Sequence, residues 1–156
     1  MTTDSSEEQF RAGKRYLKED NMDKALRAFE KAYKEDRDSP IYMSYYGMCK
    51  ALRGGEMGLG LELCTRAIKK EFHKVEYYIN LGKVYMAAGN KKGALKVFKT
   101  GLRFDPNSEE INKYLIELGF RSKSIIPALN RSNPINKFLG IFFRRTLPKF
   151  MKKKTS

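Results

Sequence analysis

The chain has 156 residues, of which 41% are hydrophobic and 32% are charged, so it can form one modest domain with an appendage. No apolar run approaches the roughly 20 residues of a membrane span, and Met1 to Phe10 is acidic and polar where a secretory signal would be basic and apolar. The net charge of +14 lies mainly at one end, because residues 120–156 contain ten Lys or Arg and no Asp or Glu. Residues 1–119 keep 14 minus 10, or +4, and we expect a cytoplasmic protein with a basic tail.

A glycine recurs along the chain at Gly13, Gly47 and Gly82, with spacings of 34 and 35 residues. A fixed period of this length predicts stacked helical hairpins, because one hairpin cannot bury its apolar stripe alone. We predict seven helices, over residues 6–18, 22–35, 40–53, 57–70, 75–88, 91–104 and 108–118. Their predicted start signals are Ser5 with Glu8 as a capping box, Ser39 before Pro40, and Asn107 with Glu110.

The first copy of the pattern has small and aromatic residues at helical spacing, although Gln9 stands where the third copy has the aromatic Tyr78. The second copy departs further, because Lys50 replaces a tyrosine and one extra residue lengthens the turn within 53–60. The third copy is nearly complete and consists of Tyr78, Leu81, Gly82, Tyr85, Ala94, Phe98, Gly101 and Pro106.

These residues resemble the consensus of a tetratricopeptide repeat, and the resemblance covers about residues 6–119. It implies an all-α, right-handed superhelix in a domain spanning 5–119, with small residues where the two helices of a hairpin approach closely. The three repeats would cover about 6–39, 40–74 and 75–108. A last helix at 108–119 would then cap the open end of the array.

Several features argue against an enzyme. Cys49 and Cys64 fall inside the second hairpin, where they are expected to act as small apolar side chains without a disulfide or a metal. The single histidine, His73, lies between repeats two and three, where a solvated loop is expected. The glycines of 53–60 follow no predicted strand, which disfavours a nucleotide loop. The sequence therefore predicts a protein with no catalytic residues, no cofactor and no metal.

The family resemblance places a ligand-binding groove on the first helix of each hairpin. The matching positions of this chain are Phe10, Lys14, Leu17, Ile41, Ser44, Met48, Leu52, Ile79, Lys83 and Met86, with Tyr45 and Asn80 adjacent to them. This apolar surface with two lysines suits a peptide or helix of another protein that carries flanking acidic groups. For each residue, the alternative is a packing role between neighbouring helices.

A carboxylate clamp for chaperone tails is known in this family and needs Lys, Asn, Asn, Lys and Arg or Lys at five fixed positions. Those positions hold Phe10, Lys14, Tyr45, Glu76 and Asn80 here. The resemblance therefore disfavours the acidic C-terminal motif of heat-shock chaperones as the ligand.

The basic end divides into a predicted tether at 120–134 and an amphipathic helix within 135–156. Asn133 and Pro134 give a helix start, and one helical face then carries Ile135, Phe138, Leu139, Phe142 and Phe143. Arg144 and Arg145 lie on other faces, where they would be available for docking. A helix of roughly 13 residues, about 20 Å, is too short to span a bilayer and needs a surface to fold against.

Three surfaces compete for this tail helix. It could pack back on its own repeats as an additional cap or dock on a partner. It could also compete for the groove, because its phenylalanines match the groove's apolar character. It could lie on an anionic membrane, where each Lys or Arg contributes about 1 kcal/mol. Nucleic acid ranks last, because phenylalanines on one helical face suit an apolar partner better than single bases. The sequence thus predicts a protein-binding adaptor, with a peripheral membrane adaptor as the alternative.

Overall fold

The computed structural model describes residues 2–120, with side chains from Ser5 onwards, and this part of the chain is all-α. Its helices are α1 (Thr2–Lys18), α2 (Met22–Glu35), α3 (Pro40–Gly54), α4 (Met57–Lys70), α5 (Val75–Ala87), α6 (Lys91–Gly101) and α7 (Glu109–Glu117). They all lie in one compact unit that ends at Gly119. The tail helix with Ile135, Phe138, Leu139, Phe142, Phe143, Arg144 and Arg145 lies outside the described residues, and so does the tether beyond Phe120.

The helices pack as three successive hairpins, α1 with α2, α3 with α4, and α5 with α6. Each hairpin also contacts the next one, and α7 packs on α6. This is the order that the glycine period predicts, and the predicted bounds 22–35 and 57–70 coincide with α2 and α4. The chain therefore forms three helical repeats followed by a closing helix.

The recurrent glycines allow the paired helices to touch. A Cβ atom built on Gly13 would lie 2.5 Å from the ring of Phe29, and one built on Gly82 would overlap the ring of Phe98. Both rings are fully buried. Because real Cβ atoms do not approach a ring so closely, the glycine provides the space in which the aromatic side chain of the partner helix packs.

Two predicted helix starts are wrong. Helix α1 begins at Thr2, so Ser5 lies inside it and its hydroxyl donates to a carboxylate oxygen of Glu35 at 3.1 Å instead of capping. Ser108, not Asn107, caps α7, where its hydroxyl accepts from the backbone N–H of Ile111 at 3.5 Å. The predicted start at Ser39 and Pro40 is confirmed, although Ser39 makes no side-chain cap.

The turns inside the hairpins explain where the second helix of each begins. Asn21 and Asn90 stand at the same place in repeats one and three, and each side chain accepts the backbone N–H three residues later. The residue before each asparagine, Asp20 or Gly89, is left-handed, with φ of 55° and 71°. In the longer turn of repeat two, Gly55 at φ 72° holds the same left-handed position, but the residue after it, Glu56, makes no side-chain cap.

We expect the two cysteine thiols to react only when the protein unfolds. Cys49 and Cys64 are free and fully buried, and burial raises the pKa of each thiol to about 12. The Cys64 thiol also donates to the carbonyl oxygen of Ser44 at 3.3 Å. Since the thiolate is the reactive form, a disulfide reagent at pH 8 should label both residues at the rate of unfolding. Immediate labelling in the absence of urea would contradict the buried placement.

Candidate functional site

A concave cavity of about 260 Å³ lies on the inner face of the array, where the first helices of the three hairpins meet α7. We call this cavity the groove. Helix α5 supplies four of its residues at i, i+3, i+4 and i+7, which is one face of a helix. The groove is lined by Lys14, Leu17, Lys18, Tyr45, Glu76, Ile79, Asn80, Lys83 and Glu110.

Tyr45 occupies the centre of the wall and is held by aromatic packing. Its ring centroid lies 5.2 Å from that of Phe10 and 5.2 Å from that of Phe29. Burial is the largest cause that raises the pKa of Tyr45 to about 12, and the charges of Glu76 and Glu110 are smaller causes in the same direction. The phenol is therefore protonated at neutral pH and presents a hydrogen-bond donor to a ligand.

Asn80 is fixed beneath the groove by another polar group. Its side chain is only 3% exposed, and its amide nitrogen donates to the hydroxyl oxygen of Ser44 at 3.0 Å. Ser44 is fully buried. This hydrogen bond joins α5 to α3, and it satisfies two polar groups that would otherwise be costly to bury.

The groove carries charges of both signs. Lys83 pairs with Glu110 of α7 at 2.8 Å, and its ammonium lies 5.6 Å from the ring centroid of Tyr114. Lys14 and Lys18 form no ion pair with a carboxylate of the described chain, and neither does Glu76 with a cation. With three lysines and two glutamates, the lining has a formal charge of +1.

Six of the predicted groove residues lie together in this cavity, namely Lys14, Leu17, Tyr45, Ile79, Asn80 and Lys83. Phe10, Ser44 and Met48 are at most 7% exposed, so they are core residues that support the wall. Phe10 is buried because it packs among the rings of Phe29, Tyr42 and Tyr45. The other predicted residues do not line the cavity, and they are Ile41, Leu52 and Met86.

Three lining residues are absent from the predicted groove set. Lys18 is four residues after Lys14 and Glu76 four before Asn80, so helical spacing from a predicted residue could have found both. Glu110 gave no such signal, because α7 lies outside the three repeats. Its ion pair with Lys83 makes the closing helix part of the wall.

Between residues 2 and 120, no helix is long and apolar enough to cross a membrane. In that range, no three His, Cys, Asp or Glu side chains are grouped so that they could hold a metal ion. His73 is exposed, and its ring contacts that of Phe72 edge-on at 5.8 Å.

The family model of the tetratricopeptide repeat matches residues 75–108. A search of the curated proteins gives no match.

Among solved structures, the first TPR of Spaghetti (RPAP3), bound to the HSP90 peptide SRMEEVD, is 18% identical with a TM-score of 0.61, over 74% of this chain and 94% of that one. The Arabidopsis OM64 TPR domain is 18% identical with a TM-score of 0.64, and the match covers 76% of this chain and 98% of that one. The Thermobaculum terrenum O-GlcNAc transferase is 17% identical with a TM-score of 0.66, over 75% of this chain but 22% of that enzyme.

At these identities the similar structures show the fold alone, and that fold is the array of hairpins described above. The family model adds sequence evidence for the third hairpin, whose residues carry the most complete repeat. Residues 75–108 are therefore a tetratricopeptide repeat, and the three hairpins with their closing helix have the fold of a tetratricopeptide repeat domain.

Proposed function

We propose that this protein is a non-enzymatic adaptor whose groove binds a segment of another protein, as a peptide or a helix. The observation that carries the proposal is the composition of the groove. It is concave, it has an apolar centre, and it presents unpaired charges of both signs on helices that packing holds in place. A site of this kind recognises an apolar anchor together with a few polar groups.

The lining indicates which segment would fit. Leu17, Tyr45 and Ile79 offer the apolar contact, so the segment needs an apolar side chain at its centre. Lys14 and Lys18 have no carboxylate partner in the described chain and favour an acidic residue on one side. Glu76 favours a basic residue on the other. We therefore propose an amphipathic segment with charges of opposite sign at its two ends.

An acidic chaperone tail is a poorer ligand for this groove. The RPAP3 domain with the same fold binds the peptide SRMEEVD, which carries several carboxylates. Of the five clamp positions in this chain, Glu76 is acidic and Phe10 is buried in the core. Glu76 stands at a clamp position where the family has a lysine, so its carboxylate would repel a carboxylate of such a peptide instead of binding it.

The proposal can be tested by selecting twelve-residue peptides from a displayed library on the full chain. We expect the selected peptides to carry an apolar residue beside an acidic one, and Lys14→Glu with Lys18→Glu to weaken their binding at least tenfold through charge reversal. Lys96→Glu is the matched control, since Lys96 is exposed on α6 and does not line the groove. Fluorescence anisotropy with labelled peptides measures the dissociation constants.

Two results would contradict the proposal. Selected peptides that bind the double variant and the wild type equally would place their site elsewhere. Tight binding of labelled SRMEEVD would show that the groove accepts a chaperone tail, whereas we expect a dissociation constant of about 1 mM or weaker.

A further inference from the structure

A second cavity, of about 280 Å³, lies between α1 and α2 of the first hairpin. We call it the first-hairpin cavity. It shares no lining residue with the groove, because α1 presents a different face to each. Its lining residues are Gln9, Ala12, Tyr16, Lys24, Arg27, Ala28 and Lys31.

Repeat one lacks two large side chains that repeats two and three carry at the same positions. Gln9 and Ala12 stand at the repeat positions that hold Tyr78 and Leu81 in repeat three. In repeat two the same positions hold Met43 and Tyr46, and all four of these larger side chains are at most 8% exposed. At these two positions, repeats two and three carry large buried side chains, whereas repeat one leaves a cavity.

Three cations follow one another along the wall that α2 contributes. Lys24, Arg27 and Lys31 are exposed, and none forms an ion pair with a described carboxylate. The acidic residues of α2 are engaged elsewhere, since Asp23 pairs with Arg53 at 2.8 Å and Glu30 with Lys34 at 3.0 Å. The cavity is therefore strongly positive and is not neutralised by its own hairpin.

This cluster of charge is not a feature of the repeat. The equivalent residues are Leu59, Glu62 and Arg66 in repeat two, and Gly93, Lys96 and Thr100 in repeat three. Like charges three or four residues apart on a helix are destabilising, so an unmatched row of them indicates a role in binding. Residues 121–156 contain no Asp or Glu, so their side chains offer no carboxylate that could neutralise the row.

We propose that the first-hairpin cavity binds a small, free anion of the phosphate class. A phosphate monoester carries about −1.5 to −2 charges and three acceptor oxygens, whereas a single carboxylate offers one charge to three cations. The planar guanidinium of Arg27 suits two phosphate oxygens, and the lysines act as point charges beside it. The Gln9 amide and the Tyr16 hydroxyl supply neutral donors in the same cavity.

The test is a titration of the full chain, labelled with nitrogen-15, with inorganic triphosphate at constant ionic strength. We expect saturable shifts of the backbone amides of Gln9, Ala12 and Arg27. Arg27→Gln with Lys31→Gln should raise the dissociation constant roughly tenfold, because charge-assisted hydrogen bonds are lost. Lys96→Gln, at the repeat-three position equivalent to Arg27, should leave the dissociation constant unchanged.

A second variant separates a cavity from a merely basic surface. Ala12→Leu restores the residue type of repeat three and fills the space while keeping all three cations. We expect it to lose triphosphate binding at these amides and to keep or raise the melting temperature. Binding of wild-type strength by Ala12→Leu, or equal losses from Lys96→Gln and the Arg27 variant, would overturn the proposal. So would a phosphoserine peptide that binds at these amides more tightly than triphosphate, because the ligand would then be a protein.

Discussion

Phe98→Ala is expected to destabilise the protein by about 3 to 5 kcal/mol, as is usual for the loss of a large buried aromatic side chain. Phe98 is fully buried in α6, and its ring fills the space that Gly82 leaves on α5. Its other side stacks on Tyr114 of α7, with ring centroids 5.2 Å apart and the planes almost parallel. One truncation therefore removes packing from three helices at once.

The effect should reach the groove as well as the stability. Helix α7 brings Glu110 to Lys83, so a helix that has lost its aromatic support no longer holds that ion pair. Urea unfolding followed by circular dichroism gives the free energy of unfolding, and peptide binding to the groove gives the second readout. We expect both to fall in Phe98→Ala.

Phe72→Ala is the matched control, because it removes the same atoms from a side chain that is 63% exposed. Its free energy of unfolding should change by less than about 1 kcal/mol, since exposed substitutions seldom do more. Equal losses in the two variants would mean that Phe98 is not the packing centre of the third hairpin.

The fold could be predicted from the sequence because its determinants are local and repeated. Gly13 and Gly82 mark close approaches, and Phe29 and Phe98 stand at the matching place on the partner helix. Helix ends were harder to predict, because short polar residues serve in several roles. Ser5 and Glu8 have the spacing of a capping box, yet the same spacing is allowed inside α1, where Ser5 bonds to Glu35 instead.

The site was only partly predictable, because family positions describe an average repeat. Of the residues at those positions, Lys14, Ile79 and Lys83 line one cavity. They give no account of Phe10, which is buried because this chain has an aromatic cluster at Phe29 and Tyr42. Glu110 could not be found in this way either, since its place depends on how α7 packs on α6.

In the first-hairpin cavity, residues that depart from the repeat, not residues that match it, mark the proposed site. Gln9 is visible in the sequence as a departure from the repeat, but the sequence alone does not say whether a neighbour fills the space. In the structure the space stays open and α2 lines it with Arg27 and Lys31. Departures from a repeat consensus therefore mark candidate binding positions when the structure leaves them unfilled, whereas agreements inform mainly about the fold.

Gly60→Ala is expected to destabilise the protein by about 1 to 3 kcal/mol, although alanine favours a helix. A Cβ atom at Gly60 would lie 2.6 Å from the Cβ of Ala51 and 2.7 Å from the carbonyl oxygen of Gly47. These atoms belong to the backbone and the first side-chain carbon of α3, so they cannot rotate away. Helices α3 and α4 would have to separate, which opens the core of the second hairpin.

Gly58→Ala, in the same helix, provides the control. A Cβ atom there would have no neighbour within 4 Å, so the variant should gain the helix propensity of alanine, roughly 0.5 to 1 kcal/mol. Thermal and urea unfolding of both variants measure the difference.

Repeats one and three carry alanine, Ala25 and Ala94, at the place of Gly60, so their hairpins tolerate a methyl group there. If Gly60→Ala were as stable as Gly58→Ala, the second hairpin would be no tighter than its neighbours. A loss confined to Gly60→Ala would instead explain why the least regular repeat keeps glycine on both of its facing helices.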